Sequence, residues 1–140
     1  YVAGLMPTQK EVNAIAQAFR ELAEKEETDV YHCTQLYGIG GSIRSAAKLY
    51  GDLCNNGNRF NYLLPEHIDA ILNRYAEDPN AFAHEALRTL PDRIHTLIPG
   101  CVIIREAFKL CGGERLDICK YGVREGYLAE RVLVKPVSFA

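Results

Sequence analysis

The sequence predicts an α/β domain that is rich in helix and carries only a small sheet. Apolar residues recur at helical spacing in roughly six stretches, whereas strand-forming residues gather in only two. One of those strands, over Asp29–Tyr37, runs through Gly38-Ile39-Gly40-Gly41 into a helical pattern, which makes a strand–turn–helix unit. The chain has 140 residues, 48% hydrophobic and 24% charged. That length buries about 68–70% of the unfolded surface, so one domain over 1–140 can hold a core without disulfides or a metal.

The elements follow in order. Thr8 and Glu11 have the spacing of a capping box, and Val12, Ile15, Ala16, Phe19, Leu22 and Ala23 give an amphipathic helix over Gln9–Lys25. Val30, Tyr31, Cys33, Thr34, Leu36 and Tyr37 are residue types that favour a strand. After the glycine turn, Ser42 is placed to cap a helix whose face is Ile43, Ala46, Ala47 and Tyr50, with Gly51 as its stop. Cys54–Asn58 is turn-forming. Pro65 suits a first helical turn, with Ile68, Ile71, Leu72 and Tyr75 facing inward and Asp78-Pro79 as the end. Asn80 then caps a short helix with Phe82, Ala83, Ala86, Leu87 and Leu90 inward, closed by Pro91. Asp92 caps a turn over Arg93–Ile98, and Pro99-Gly100 marks a kink. Cys101–Cys111 is apolar almost all round, as a core helix is, and Gly112-Gly113 ends it. Leu116, Ile118 and Lys120 alternate with polar residues as a second strand, and Arg124 to about Val132 reads as a last helix. The two strands should lie parallel in one sheet, since a helix follows each.

Composition excludes several classes. The net charge of −2 does not suit a non-specific nucleic-acid binder. The longest apolar run, Cys101–Ile104, falls far short of the ~20 residues of a membrane span. Five cysteines without a C-x-x-C read as buried free thiols of a reducing cytoplasm. The four histidines show no zinc-ligand spacing. No secretory signal is visible, and the chain opens on Tyr1. Two strands cannot cover the Cys101–Cys111 helix, so the expectation is a piece of a longer protein whose remaining strands lie elsewhere.

The sharpest chemical feature is the turn Gly40-Gly41-Ser42, where backbone N–H groups at a helix start suit an anion. It matches neither G-x-G-x-x-G nor a Walker loop, and a plain structural turn explains it equally well. Arg44, one turn on, is either a phosphate clamp or a surface charge. Arg93, between Pro91 and Pro99, is either a phosphate contact or a local salt bridge with Asp92, Glu85 or another acid. Arg124-Glu125 suits a structural helix start.

Three stretches taken together resemble a known family. Gly38-Ile39-Gly40-Gly41-Ser42-Ile43-Arg44 through Leu49, Leu90-Pro91-Asp92-Arg93-Ile94 through Pro99-Gly100, and Tyr121-Gly122-Val123-Arg124-Glu125-Gly126 are similar in order and separation to the second domain of the exopolyphosphatase / guanosine pentaphosphate phosphohydrolase (Ppx/GppA) family. The likeness covers about Leu5 to Leu133, with Ser42 where the family has Thr and Val123 where it has Leu. It implies a partial ribonuclease-H-like domain of the actin, sugar kinase and heat-shock ATPase superfold. It implies a Mg²⁺-assisted hydrolase that releases terminal phosphate from polyphosphate or guanosine pentaphosphate. The family's Asp-Ile-Gly-Gly-Gly-Ser loop and water-activating acid have no counterpart in this sequence. The resemblance therefore implies the C-terminal part of the enzyme, inactive alone, whose partners are the N-terminal part and the phosphate substrate, with room for a homodimer. Gly40, Gly41, Ser42, Arg44 and Arg93 would contact phosphate, with catalytic and Mg²⁺ ligands elsewhere. The alternative is a non-catalytic nucleotide-binding or interaction domain.

Overall fold

The local sequence sets the first helix. Thr8 Oγ1 accepts the Glu11 N–H at 3.3 Å while the Glu11 carboxylate accepts the Thr8 N–H at 2.6 Å, and α1 (Gln9–Lys25) begins there. The structure, a computed structural model, describes residues 4–26 and 32–133. Val12, Ile15 and Ala16 are buried as expected, but Leu22 faces out.

The elements that follow are β1 (Gln35–Gly38), α2 (Gly41–Cys54), β2 (Tyr62–Leu63), α3 (Pro65–Glu77), α4 (Pro79–Thr89), a 3-10 turn (Pro91–Arg93), α5 (Ile94–Cys111), β3 (Arg115–Ile118) and α6 (Val123–Leu128). The last helix widens into a π-type turn at Ala129–Leu133. The expected first strand is shorter than Asp29–Tyr37. Residues 29–31 lie outside the described residues, and pairing begins only at Gln35.

The sheet has the order β1-β3-β2. β1 and β3 run parallel, from Gln35 opposite Arg115 to Gly38 opposite Ile118, as the sequence predicts. β2 was not expected. It adds antiparallel to the other side of β3, Tyr62 opposite Asp117 and Leu63 opposite Leu116. Leu63 and Leu116 belong to the core that the helices build, and Leu36, Ile43 and Ile118 pack against it. α5 is the central element and packs on α1, α2 and α3.

Four local expectations need correction. Gly51 does not stop α2. The helix runs on to Cys54, and the Gly51 carbonyl accepts the Gly57 N–H at 2.8 Å as the chain turns back. Asp78, not Asn80, caps α4, because its carboxylate accepts the Asn80 and Ala81 N–H groups at 3.1 and 2.9 Å. Of the expected inward face, Phe82 and Ala86 are buried while Leu87 is exposed. Pro99 neither breaks nor separates the segments around it, since Ile94–Cys111 is one helix. The carbonyl that loses a donor to proline belongs to His95, an exposed residue that water can reach.

α5 is also less uniformly apolar than its sequence suggests. Glu106 is buried at 3% exposure and takes Arg20 of α1 at 3.1 Å and Lys109 at 3.2 Å, with Arg105 Nε at 3.7 Å. The helix ends at Gly112, whose φ of 64° is left-handed. All five cysteines are free thiols, but only Cys101 is buried. Burial pushes its pKa up to about 12. Cys33 and Cys54 are exposed.

Candidate functional site

β1 delivers the chain to the glycine turn at the end of the sheet. Gly40 has φ 117°, a conformation closed to most L-residues, and it caps α2 by backbone alone. Ser42 is therefore not the N-cap. It lies inside the first turn, exposed, and its Cβ sits 3.2 Å from where a side chain on Gly100 of α5 would start. Among the described residues no side chain caps the first turn of α2, so its N–H groups can take an anion.

Arg93 comes to this turn from another part of the chain. It closes the 3-10 turn that Pro91 starts, and its backbone is fixed at both ends. Its N–H donates to the Leu90 carbonyl at 3.1 Å, and its carbonyl accepts from Thr96 Oγ1 at 3.2 Å. The guanidinium lies flat against Gly41: a Cβ on Gly41 would fall 2.7–2.9 Å from its two terminal nitrogens and its central carbon. Among the described residues no carboxylate pairs with Arg93, and Glu85, one of the acids considered for it, holds Arg74 instead at 2.8 Å. The residue is exposed.

Arg44 turns back on the same loop. Its Nε donates to the Gly40 carbonyl at 3.3 Å. The structure thus brings Gly40, Gly41, Ser42, Arg44 and Arg93 to one end of α2. Ile39 carries the turn toward Gly122, which starts α6. Glu125 accepts the Gly122 N–H at 2.8 Å. Its carboxyl is held below the usual range by the backbone N–H groups of Glu125 and Gly122, with Arg124 and Arg44 adding to the effect. This is the structural role that the sequence assigns to it.

Among the described residues no three His, Cys, Asp or Glu side chains come together as a metal ion needs. Near the turn, Glu125 is engaged as above, and Asp117 of β3 holds Arg115 at 2.7 Å and Gln35 at 2.6 Å. These residues do not make a Mg²⁺ site. Beside α2, Lys48, Arg59 and Lys120 share a groove with Arg44, and sequence reading did not single them out. The Arg44–Lys48 spacing of four residues was a visible signal. Arg59 and Lys120 arrive from segments that carry none.

No family model matches the chain, and no curated protein does. Solved structures do. The crystal structure of an Aquifex aeolicus Ppx/GppA family member matches 95% of this chain at 20% identity with a TM-score of 0.72. The type II crystal variant of the Aquifex aeolicus Ppx/GppA phosphatase matches 94% at 18% identity, and an Aquifex aeolicus PPX-GPPA enzyme matches 93% at 19%, both with a TM-score of 0.72. In each case the chain spans 44% of the solved protein. The family that the motifs resemble is thus the family whose fold this chain shares over somewhat less than half its length.

Proposed function

We propose that the chain is the C-terminal part of an exopolyphosphatase-type hydrolase that releases terminal phosphate from polyphosphate or guanosine pentaphosphate. The observation that carries this reading is the seat of Arg93. An exposed guanidinium that has no acidic partner among the described residues lies against the glycine at a helix start without a side-chain cap. Its planar fork and the first N–H groups of α2 can hold phosphate oxygens together. The likeness to Ppx/GppA structures supplies the reaction class. In that reaction water attacks the terminal phosphorus, and charge spread over the phosphoryl oxygens must be stabilised. Arg93 and the Gly40-Gly41-Ser42 backbone would do so, with Arg44 as a further contact.

The carboxylate that activates water and the Mg²⁺ ligands belong, in this reading, to the N-terminal part of the same enzyme. The three-stranded sheet is then the part of a ribonuclease-H-like domain that this chain provides. No described helix is long and apolar enough to cross a membrane, and five free thiols suit a cytoplasmic enzyme. In the complete enzyme, Arg93→Ala should lower turnover by ~10²–10³-fold, the loss typical of one transition-state donor, and leave the melting temperature almost unchanged. Lost stability with normal turnover per folded molecule would identify a structural arginine and refute the reading. The 140-residue chain alone should release no phosphate from polyphosphate in the presence of Mg²⁺. Release above a no-enzyme control would place the water-activating group within it.

A further inference from the structure

Two of the five cysteines meet across the chain. The Cys33 N–H donates to the Cys111 carbonyl at 2.9 Å. With standard bond lengths, that contact holds the two Cα atoms to no more than about 6.8 Å apart, within the span that a disulfide bridges. Among the described residues no other two cysteines are joined by a backbone hydrogen bond. His32 ties the same two segments together. Its Nδ1 lies 3.2 Å from the Cys111 carbonyl, and its ring fills the space where a side chain on Gly112 would start.

Both thiols sit where an oxidant can arrive and where the backbone can adjust. Cys33 is exposed and Cys111 is half-buried, whereas Cys101 is enclosed in the core with its thiol pushed up to about 12. Cys33 precedes the paired part of β1, and a bend at Thr34 separates it from the ladder that begins at Gln35. Cys111 is the last residue of α5, next to the left-handed Gly112. The Cys33 thiol donates to the Gln35 carbonyl at 2.9 Å, an exposed contact that a turn about its own Cα–Cβ bond releases.

We propose that Cys33 and Cys111 are a redox pair that closes to a disulfide when the protein meets a peroxide. The exposed Cys33 sulfur attacks one peroxide oxygen. The O–O bond breaks, a sulfenic acid forms, and the departing hydroxide takes the Cys33 proton to leave as water. The Cys111 sulfur then attacks the sulfenic sulfur. The S–S bond forms, the S–O bond breaks, and the hydroxide leaves with the Cys111 proton as a second water. Two thiols lose two electrons and two protons, and one peroxide becomes two waters. The link joins the lead-in of β1 to the end of α5, at the opposite end of the β1–β3 pair from the glycine turn. It staples the parallel strands without covering that turn, and it closes a loop that contains α2 through α5. Closing that loop takes conformational freedom from the unfolded chain, so the oxidised form is the more stable one. None of this depends on the phosphohydrolase reading.

Treatment of the fully reduced 140-residue chain with a small excess of hydrogen peroxide tests this. Thiol titration should show two of the five thiols lost and regained with dithiothreitol. Mass spectrometry of a digest made without reductant should find the peptides of Cys33 and Cys111 joined. The melting temperature of the oxidised protein should rise by about 10 °C, and dithiothreitol should reverse the rise. Cys33→Ser and Cys111→Ser should each abolish the link and the rise, whereas Cys54→Ser/Cys119→Ser should oxidise like the parent. Cys33→Ser changes an exposed position, so it keeps the test if Cys111→Ser does not fold. A folded chain that links other cysteines, or none, overturns the proposal. So does a Cys33–Cys111 link that forms only with loss of the helical circular dichroism, because the native fold would then not be what brings the pair together.

Discussion

A single methyl group added at Gly41 separates what holds this fold from what acts at its surface. The Cβ of Gly41→Ala would lie 2.7 and 2.8 Å from the Arg93 terminal nitrogens and 2.9 Å from its central carbon, so the guanidinium must leave its seat. It is the far end of a flexible side chain, it is exposed, and among the described residues it has no acidic partner to lose. Gly41 begins α2, and no positive φ restricts it. Alanine there narrows the unfolded ensemble, which favours the folded state by about 0.4–1 kcal/mol. Rebuilding one arginine rotamer offsets part of that. The melting temperature of the 140-residue chain should therefore stay level or rise by about 2 °C. In the complete enzyme proposed above the same change should cost at least about tenfold in turnover, because on that proposal it displaces a donor to the transferred phosphoryl group. Differential scanning fluorimetry and phosphate release on one protein preparation read both quantities. A fall of more than about 5 °C would mean the guanidinium is locked into the fold. Unchanged turnover would mean its seat on Gly41 does not matter for chemistry.

Other perturbations act on the fold itself. Gly51→Ala should destabilise by about 1–3 kcal/mol in a urea titration, because the new Cβ would meet the Asn58 backbone carbonyl at 2.8 Å and backbone yields poorly. Glu106→Ala should cost about 1–3 kcal/mol by the same measurement. Its partners Arg20 and Lys109 are half exposed and regain water, which limits the loss, whereas Arg105, with a buried Nε 3.7 Å away, is left without its counter-charge. His67 should make stability depend on pH. Burial lowers its pKa from 6.5, partly opposed by Glu66, and its Nδ1 accepts the Leu64 N–H at 3.3 Å, which a protonated ring cannot do. The unfolded chain then binds the proton more readily, so stability is intact above about pH 7 and falls as pH drops through 6.5 toward the lowered value. Melting scans between about pH 7.5 and 5 should show a slope that His67→Gln reduces, and an equal slope in both proteins would contradict the assignment.

Local chemistry was legible where one segment contains both partners of an interaction. Thr8 with Glu11 and Gly122 with Glu125 are three residues apart, and both close as backbone–side-chain pairs. Pro91 and Gly112 likewise mark real boundaries. What failed needed information from elsewhere in the chain. Tyr62–Leu63 is too short to show alternation and becomes a strand only because β3 offers its free edge. Gly51 looked like a stop, yet it is a glycine because Asn58 folds over it. Pro99-Gly100 read as a kink between two segments, but the apolar residues on both sides face one core, and their burial keeps Ile94–Cys111 one helix. At the site, the residue types at Gly40, Gly41 and Arg93 were visible. That Arg93 rests on Gly41, and that Arg59 and Lys120 join Arg44 and Lys48, depends on how α2 meets the turn before α5 and the end of β3.

The central place of β3 has a consequence for how the chain acquires its structure during synthesis. Among the described residues β1 and β2 do not pair with each other, and each pairs in the sheet with β3, Arg115–Ile118. A ribosome therefore releases α1 through α5 before the strand that joins the two earlier ones exists. Helix contacts can form vectorially as the chain emerges, whereas the sheet waits for its last member and carries the contacts of longest sequence separation. Until then Gln35–Gly38 and Tyr62–Leu63 both present unpaired edges, so a nascent chain stalled before Arg115 is the form most open to wrong pairing or capture by a chaperone.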